Sequence, residues 1–382
     1  MNYDVLFVGV DVSKLKHDVA VMNEHKACVH NPFVIRENRA GFSYLIDRLN
    51  YLKATYHTTS FYIGMEATGD YWKNLFHFLS RCSEYIPVVI NPVRTRAFAK
   101  TELRRAKTDP VNAKDIALFL VEKRPQKSYY RSPVFDNIKD LDTQIQALNK
   151  QLNMTTNRLR IELGKVAPEI EQAVHHIQSK QLLALFMHFP TAAAIAHASL
   201  TELSAIRYGG KNRRMSTAFV LKLQALSQQS IAYKAGIGAG AVVQSLVRTI
   251  CHYQIELESL KQQITHLYSQ ETSANAAILS SIKGITKNTA MVLDAYFGDI
   301  QRFGNAKQFV AFFGMNPVVT QSGKQTNRNS YLEKKESAAV RRKLYFITLT
   351  LIREQVEPFN TFYERLIANG KPKLVAMAMR RS

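Results

Sequence analysis

Short apolar runs and amphipathic stretches alternate over the first third of the chain. Apolar runs at 4–10, 59–66 and 85–90 predict buried strands, and alternating apolar and polar positions at 17–35 predict antiparallel strands. Helices are expected at 40–53, 70–82, 93–106 and 110–123. This order predicts an α/β domain in which helices flank a central sheet.

Beyond residue 135 the apolar positions follow a three-four spacing that is typical of long helices. The pattern occupies residues 136–166 and returns over residues 241–269. We expect two long helices of matched length, as an antiparallel hairpin or a coiled-coil arm. Because a lone pair of helices leaves an apolar stripe exposed, such an arm predicts self-association.

A compact, all-α region is expected from residue 278. The segment Ile282–Thr286 predicts two short helices around a glycine turn, which resembles a helix-hairpin-helix element. The amides of such a turn hold a DNA phosphate, and Lys283 is a candidate phosphate contact; an ordinary helical turn is the alternative. A polar loop at 319–329 and a basic helix from about Lys334 follow. The predicted domains are 1–130, 131–275 and 276–382.

The charge balance favours a phosphate-rich partner. The chain has 51 Lys and Arg against 30 Asp and Glu, a net charge of +21, and nucleic acid binds such proteins through counterion release. A peripheral membrane protein is the alternative, but no strong amphipathic basic helix stands at a terminus. The sequence has neither a signal-peptide pattern nor an apolar run that could span a bilayer, so we expect a cytoplasmic protein.

The three cysteines are Cys28, Cys82 and Cys251. Because they are far apart and form no Cys-x-x-Cys pair, they predict neither a zinc site nor a disulfide framework. We expect them to be small buried apolar residues.

Three acidic residues stand at the ends of predicted elements. Asp11 closes the first strand, Glu66 ends another, and Asp109 begins a helix with Pro110 behind it. Carboxylates placed in this way can converge on divalent cations, and Mg²⁺ prefers oxygen ligands. For each residue alone, a surface charge or a helix cap is the alternative, and Asp109 is a good N-cap. The three together favour a metal site.

Cations surround two candidate sites. Those near Asp109 can hold a phosphate backbone, although a solvated helix face is the alternative. They are Arg94, Arg96, Lys100, Arg104, Arg105 and Lys107. The second site is Ser322, a weak nucleophile unless activated, beside Gly323 in the polar loop; because Ser-Gly is a common loop dipeptide, an ordinary loop is the alternative. Cations there would stabilise a phosphorane-like transition state. The cations around Ser322 are Lys324, Arg328, Lys334, Lys335, Arg341, Arg342 and Lys343.

Taken together, the motifs resemble the DEDD-type transposases of the insertion-sequence-110 group, relatives of the Piv DNA invertases. The resemblance covers nearly the whole chain and rests on GVDVSK, GMEATGDYW, VVINPVRTRAFAK, LRRAKTDPVNAKDIA, IKGITKNTA, FGDIQRF, QFVAFFGMNP, QSGK and RRKLY. It implies a RuvC-like domain of the RNase H fold that uses Mg²⁺ or Mn²⁺, a coiled-coil segment, and a C-terminal transposase domain with a serine nucleophile.

The resemblance also assigns roles to residues. Asp11, Glu66 and Asp109 match the first three acids of the family, and Ser322 matches the serine that forms a phosphoserine with DNA. Asn112 stands where the family has its fourth acid, and Asp115, one helical turn further on, is the alternative fourth ligand. The implied partners are DNA and further copies of the chain in a dimer or tetramer. Some family members also use a structured guide RNA encoded by their element, so such an RNA is a candidate partner.

We therefore predict a DNA transposase or site-specific recombinase that acts by phosphoryl transfer. One alternative is a metal-dependent, structure-specific nuclease in which water is the nucleophile. A second is a nucleic-acid-binding protein whose site has lapsed through Asn112. A third, an actin-like ATPase, would need a second glycine-rich phosphate loop that the sequence does not contain.

Overall fold

The computed structural model divides into two compact units, Met1–Arg131 and Ser132–Ser382. It describes residues 3–101, 109–128, 132–174, 176–234, 236–271, 273–298, 300–315, 321–322, 325–326 and 338–370. For residues 100–101, 109–111, 321–322 and 325–326 the description is of the backbone.

The first unit is a mixed sheet flanked by helices, as predicted. In chain order its elements are β1 (Val5–Val12), β2 (Lys16–Met22), β3 (Cys28–Arg36), α1 (Arg39–Tyr56), β4 (Ser60–Glu66), α2 (Trp72–Leu79), β5 (Tyr85–Ile90), α3 (Pro92–Thr101) and α4 (Asp109–Lys123). Within the described residues the sheet has five strands in the order β3-β2-β1-β4-β5. The pairs β3-β2 and β2-β1 are antiparallel, whereas β1-β4 and β4-β5 are parallel.

The central strand β1 is buried on both faces, which explains its nearly continuous apolar sequence. Val8 and Val10 belong to one core cluster together with Leu45 of α1. Phe7 points to the other face and packs in a second cluster with Ile116 of α4. Because side chains alternate along a strand, the odd-numbered residues of β1 share the face that α4 covers.

The second unit is rich in helices. Its elements are α5 (Pro133–Val166), α6 (Pro168–Ala173), α7 (Lys180–His188), α8 (Ala192–His197), α9 (Leu200–Ala205), β6 (Arg207–Tyr208), β7 (Arg213–Arg214), α10 (Thr217–Gln228), α11 (Ile237–Tyr268), α12 (Asn275–Ser281), α13 (Lys287–Phe297), a 3₁₀ turn (Ile300–Arg302), α14 (Ala306–Phe312), β8 (Gln321–Ser322), β9 (Gln325–Thr326), α15 (Ala338–Arg353) and α16 (Phe359–Ala368).

The two long helices α5 and α11 pack against each other in antiparallel directions. The Phe135 ring at the start of α5 lies 6.1 Å from the Tyr268 ring at the end of α11, and the Lys234 amide donates to the Lys165 carbonyl at the opposite end, at 3.3 Å. Side chains of α7, α8 and α10 fill the apolar stripe of this pair. The chain therefore covers much of the stripe that we expected a second copy to cover, and this argument for self-association fails.

The glycine turn at Gly284 lies between α12 and α13, as the sequence predicts. Its φ of +93° is a conformation that suits glycine. The helix α13 packs on α5, so the predicted boundary at residue 275 lies inside one compact unit. Phe309, Phe312 and Phe313 pack in the adjoining core with α15.

The cysteines differ in part from their prediction. All three are free, as predicted, but Cys28 and Cys82 are exposed and only Cys251 is partly buried. The reason is that Cys28 begins the edge strand β3, which has solvent on one side, and Cys82 follows the end of α2. Among the helices of the described residues, none is both long and apolar enough to span a membrane.

Candidate active site

Asp11 and Glu66 stand at the same end of neighbouring parallel strands. The register pairs Gly9 with Gly64 and Val10 with Met65, so Asp11 and Glu66 are the next residues along β1 and β4. Adjacent strands lie about 4.8 Å apart, and both residues fall on the face that α4 covers. This register places the two acids side by side on adjacent strands.

The helix α4 brings its first turn to these carboxylates. It runs antiparallel to β1: Ala113 lies against Gly9, whereas the guanidinium of Arg124 lies 5.6 Å from the Phe7 ring. The first turn of α4 therefore lies over the carboxyl end of β1. There the Asn112 amide donates a 3.2 Å hydrogen bond to an Asp11 carboxylate oxygen.

Asp109 is the first residue of α4. It precedes Asn112 by three residues, and residues at this spacing share one side of a helix. Its backbone is thus placed beside the end of β1, and the positive end of the helix dipole lies there as well.

Asp115 lies one turn further along α4. It follows Asn112 by three residues, so its backbone lies about 4.5 Å further along the helix axis, away from the carboxyl end of β1. Phe119, one turn after Asp115, packs edge-to-face on Phe98 of α3 with centroids 5.5 Å apart. Of the two candidates for the fourth ligand, Asn112 is nearer the carboxyl end of β1, and its amide donates to Asp11.

Thr95 orients Glu66, and the sequence analysis did not identify it. Its hydroxyl donates to the Glu66 carboxylate, and the Thr95 side chain is buried in the first turns of α3. The position of Thr95 in the sequence could have indicated this role. It lies in the first turns of α3, which begins directly after β5, the strand next to the one that ends at Glu66.

Asp18 is a further acid that the sequence analysis missed. It pairs with Asp11 across the antiparallel strands β2 and β1, so both side chains point to the same face. Only 8% of Asp18 is exposed. The sequence pattern that could have identified Asp18 is an acid directly before the apolar run Val19–Met22. A charged residue in a buried strand usually has a bound partner or a functional role.

A buried histidine holds the turn after Asp11. The His17 side chain is fully buried, its Nε2 bonds the Glu37 carboxylate, and its Nδ1 accepts from the Ser13 amide at 3.2 Å. An Nε2–H tautomer satisfies both contacts. Asn74 also donates to Glu37, at 2.9 Å.

The donor set is of the kind that Mg²⁺ or Mn²⁺ prefers, because carboxylate and amide oxygens are hard ligands. Among the described side chains, no three His, Cys, Asp or Glu residues group closely enough to hold a metal ion. The Asp109 side chain lies outside that description.

The predicted cations have different settings. Arg94 and Arg96 are exposed on α3. The predicted cations outside the described residues are Arg104, Arg105, Lys107, Lys324, Arg328, Lys334 and Lys335, together with the Lys100 side chain.

The remaining predicted cations lie in the second unit. Lys283 and Arg342 are exposed, and Arg341 donates to the Phe313 carbonyl at 3.2 Å. Lys343 pairs at 2.6 Å with Asp142 of α5, which is 2% exposed. Its charge is therefore already compensated inside the protein.

Ser322 belongs to a short antiparallel ribbon of the second unit. It ends β8 and pairs with Gln325, which begins β9. The predicted polar loop thus contains a strand pair at the position of the serine.

Comparison with known proteins agrees with these motifs. A family model described as "Transposase" matches residues 8–168, and a second, described as "Transposase IS116/IS110/IS902 family", matches residues 276–364. The chain is also similar to two proteins named "Pilin gene-inverting protein". The one from Moraxella lacunata is 22% identical over 370 residues, and the one from Moraxella bovis is 22% identical over 373 residues. Each match covers 96% of this chain and 89% of the relative.

The first family model spans the acids of β1, β4 and α4, and the second spans Ser322. The relatives align with both units, and their printed name describes inversion of a gene. The chain belongs to the IS110 family of transposases, and its activity is that of a DNA recombinase.

Proposed function

We propose that this recombinase cuts and rejoins DNA with a carboxylate metal site in an RNase H-like first unit and with Ser322 as the nucleophile. The sheet supports the fold assignment, because three antiparallel strands are followed by two parallel ones with helices on both faces. The observation that carries the proposal is the meeting of Asp11, Glu66 and the first turn of α4 at one end of the sheet.

Asp11, Glu66 and Asp109 would hold the cation, with the Asn112 carbonyl oxygen as the fourth ligand. A bound Mg²⁺ or Mn²⁺ supplies positive charge that neutralises the scissile phosphate. Thr95 fixes the orientation of Glu66 through its hydroxyl, as partners of metal ligands commonly do. The exposed Arg94 and Arg96 bind the phosphates that flank the cut.

In the proposed reaction the Ser322 oxygen attacks the phosphorus of a DNA phosphodiester. A bond forms between this oxygen and phosphorus, the bond from phosphorus to the 3′ oxygen breaks, and the 3′ oxygen takes up a proton while the serine loses one. The 5′ end is then held as a phosphoserine. Attack by another 3′ hydroxyl rejoins the DNA and returns the proton to Ser322, so no external energy source is consumed.

Detection of covalent protein–DNA adducts on denaturing gels tests this function. Wild type should form adducts, Ser322→Ala should form none while still binding DNA, and Asp11→Asn should reduce them at least about 100-fold. Thr326→Ala is the matched control, because it removes another hydroxyl from the same ribbon. Adducts that persist in Ser322→Ala would contradict the proposal.

The same assay separates the two main alternatives. DNA cutting by wild type without any adduct would identify a nuclease that uses water. Binding with neither cutting nor adduct would identify a lapsed enzyme. A guide RNA, a homo-oligomer and a cytoplasmic location stay predictions from the sequence.

A further inference from the structure

The middle of the second unit has a concentration of positive charge that neither family model covers. The two models leave residues 169–275 unmatched. Within this gap, residues 203–255 contain seven Lys or Arg and no Asp or Glu. Such a segment is expected to attract an anionic partner.

Four of these cations belong to one hairpin, residues 207–214, which we call the basic hairpin. Its strands pair Arg207 with Arg214 and Tyr208 with Arg213. The turn closes through a 3.0 Å hydrogen bond from the Asn212 amide to the Gly209 carbonyl, and Gly209 has a φ of +70°. Lys211 lies in the turn, so the cations occupy both strands and the tip.

The basic hairpin shares a cavity of about 350 Å³ with the start of α7. Lys180, Lys211 and Arg213 line it, together with Ser179, the N-cap of the helix. The first amides of a helix carry partial positive charge and bind phosphate groups. Three cationic residues and a helix start therefore border one cavity.

Among the described residues, the cations of this site have no ion-pair partner. In the part of the chain that the structure describes, no carboxylate lies within ion-pair distance of Lys180, Lys211, Arg213 or Arg214. These cations therefore stay available to an anionic ligand.

We propose that the basic hairpin and the first turn of α7 bind the phosphate backbone of duplex DNA. This DNA-binding site is separate from the proposed catalytic chemistry, because binding there needs neither the metal nor Ser322. Duplex DNA is favoured over duplex RNA because the major groove of B-DNA admits a two-stranded ribbon, whereas that of A-form RNA is deep and narrow. Phosphate contacts carry no sequence information, so the site should act on any DNA sequence.

Fluorescence anisotropy of the full chain with a labelled duplex DNA of about 30 base pairs, in EDTA and over a range of salt, tests this site. The test variant is Lys211→Ala/Arg213→Ala/Arg214→Ala. The matched control, Lys150→Ala/Arg158→Ala/Arg248→Ala, removes the same charge from exposed positions of α5 and α11. EDTA removes divalent metal, and anisotropy measures binding and not cleavage. The result is therefore independent of the proposed catalytic site.

The hairpin variant should lose two or three phosphate contacts. Its affinity should fall on the order of 50-fold near ~0.1 M salt, and the slope of log K against log salt should shrink by about 2. The control should lose less than about 3-fold. A second variant, Lys180→Gln, removes one contact from the cavity wall and should lose about 8-fold.

Equal losses in the hairpin variant and its control would overturn the proposal. So would a loss of binding to an RNA duplex with unchanged binding to DNA. Circular dichroism melting checks that each variant is folded. If the triple alanine variant is not folded, the affinity of Lys180→Gln for DNA tests the proposal instead. The variant Arg213→Lys/Arg214→Lys keeps the charge, so its DNA affinity should stay within about 5-fold of wild type.

Discussion

Replacing Gly9 by alanine tests whether α4 lies as close to β1 as the site requires. A Cβ atom on Gly9 would lie 2.0 Å from the Ala113 carbonyl oxygen and 2.4 Å from the Ala117 amide nitrogen. Both are backbone atoms of α4, so no side-chain rotation relieves the clash. Since ordinary contacts begin at 3.4 Å, the helix must withdraw by about 1.4 Å.

Gly64 provides the matched comparison. A Cβ atom there would meet Leu120 Cδ1 at 2.8 Å, and that side chain can turn away. Overpacking of a core costs about 1–3 kcal/mol, so we expect about 3 kcal/mol for Gly9→Ala and about 1 kcal/mol for Gly64→Ala. Withdrawal of α4 would also break the 3.2 Å hydrogen bond between Asn112 and Asp11.

Urea unfolding followed by the fluorescence of Trp72 measures both costs. This is the only tryptophan of the chain, and it lies in α2, so it reports on the first unit. With a slope of about 2 kcal/mol per M, Gly9→Ala should lower the midpoint by about 1.5 M and Gly64→Ala by about 0.5 M. Equal midpoints for the two variants would refute the close approach of α4 to β1.

Three further substitutions test the surroundings of the site and the second unit. Thr95→Val removes the hydroxyl that orients Glu66 and should lower the rate of adduct formation about 10- to 100-fold; an unchanged rate would count against a positioning role. Asn112→Asp places a second carboxylate at Asp11, so the melting temperature should fall without Mg²⁺ and the rise on adding Mg²⁺ should exceed that of wild type. No difference in that rise would exclude residue 112 as a ligand. Asp294→Ala leaves three hydrogen-bond donors without their buried acceptor and should destabilise the second unit by about 3 kcal/mol in urea unfolding followed by circular dichroism, with no change in the Trp72 signal. A normal midpoint would show that this cluster is not required.

The strand ends were the part of the site that the sequence could predict. An apolar run that stops at an acid is a local signal, and two parallel strands bring their carboxyl ends together without further information. Asp11 and Glu66 meet for this reason. The positions of Asn112 and Asp115 relative to Asp11 were not a local signal, because they depend on the direction in which α4 crosses β1, and the contacts at Gly9 and Phe7 show that direction.

Contacts between residues that are distant in the sequence could not be predicted from the pattern of apolar and polar positions. Lys343 was predicted to bind nucleic acid, but in the structure its ammonium group pairs with Asp142, 201 residues away. Likewise, the stripe on α5 and α11 looked unpartnered because helices of six to twelve residues give weak periodic signals, yet those helices cover it. Packing selects such partners, and only the folded chain shows them.

The fold of the basic hairpin could not be predicted from the sequence pattern either. Its strands have two residues each, too short for an alternating pattern. Its charge is visible in the sequence, but the cavity beside α7 depends on contacts between segments that are about 30 residues apart.

Binding of Mn²⁺ to the full chain, followed by electron paramagnetic resonance, tests the central claim most directly. The account predicts a saturable site in wild type that is weakened at least about 10-fold in Asp11→Asn and in Glu66→Gln. Asp18→Asn, on the neighbouring strand, measures whether the additional acid contributes. Mn²⁺ binding that is absent from wild type, or unchanged in both Asp11→Asn and Glu66→Gln, would contradict the account.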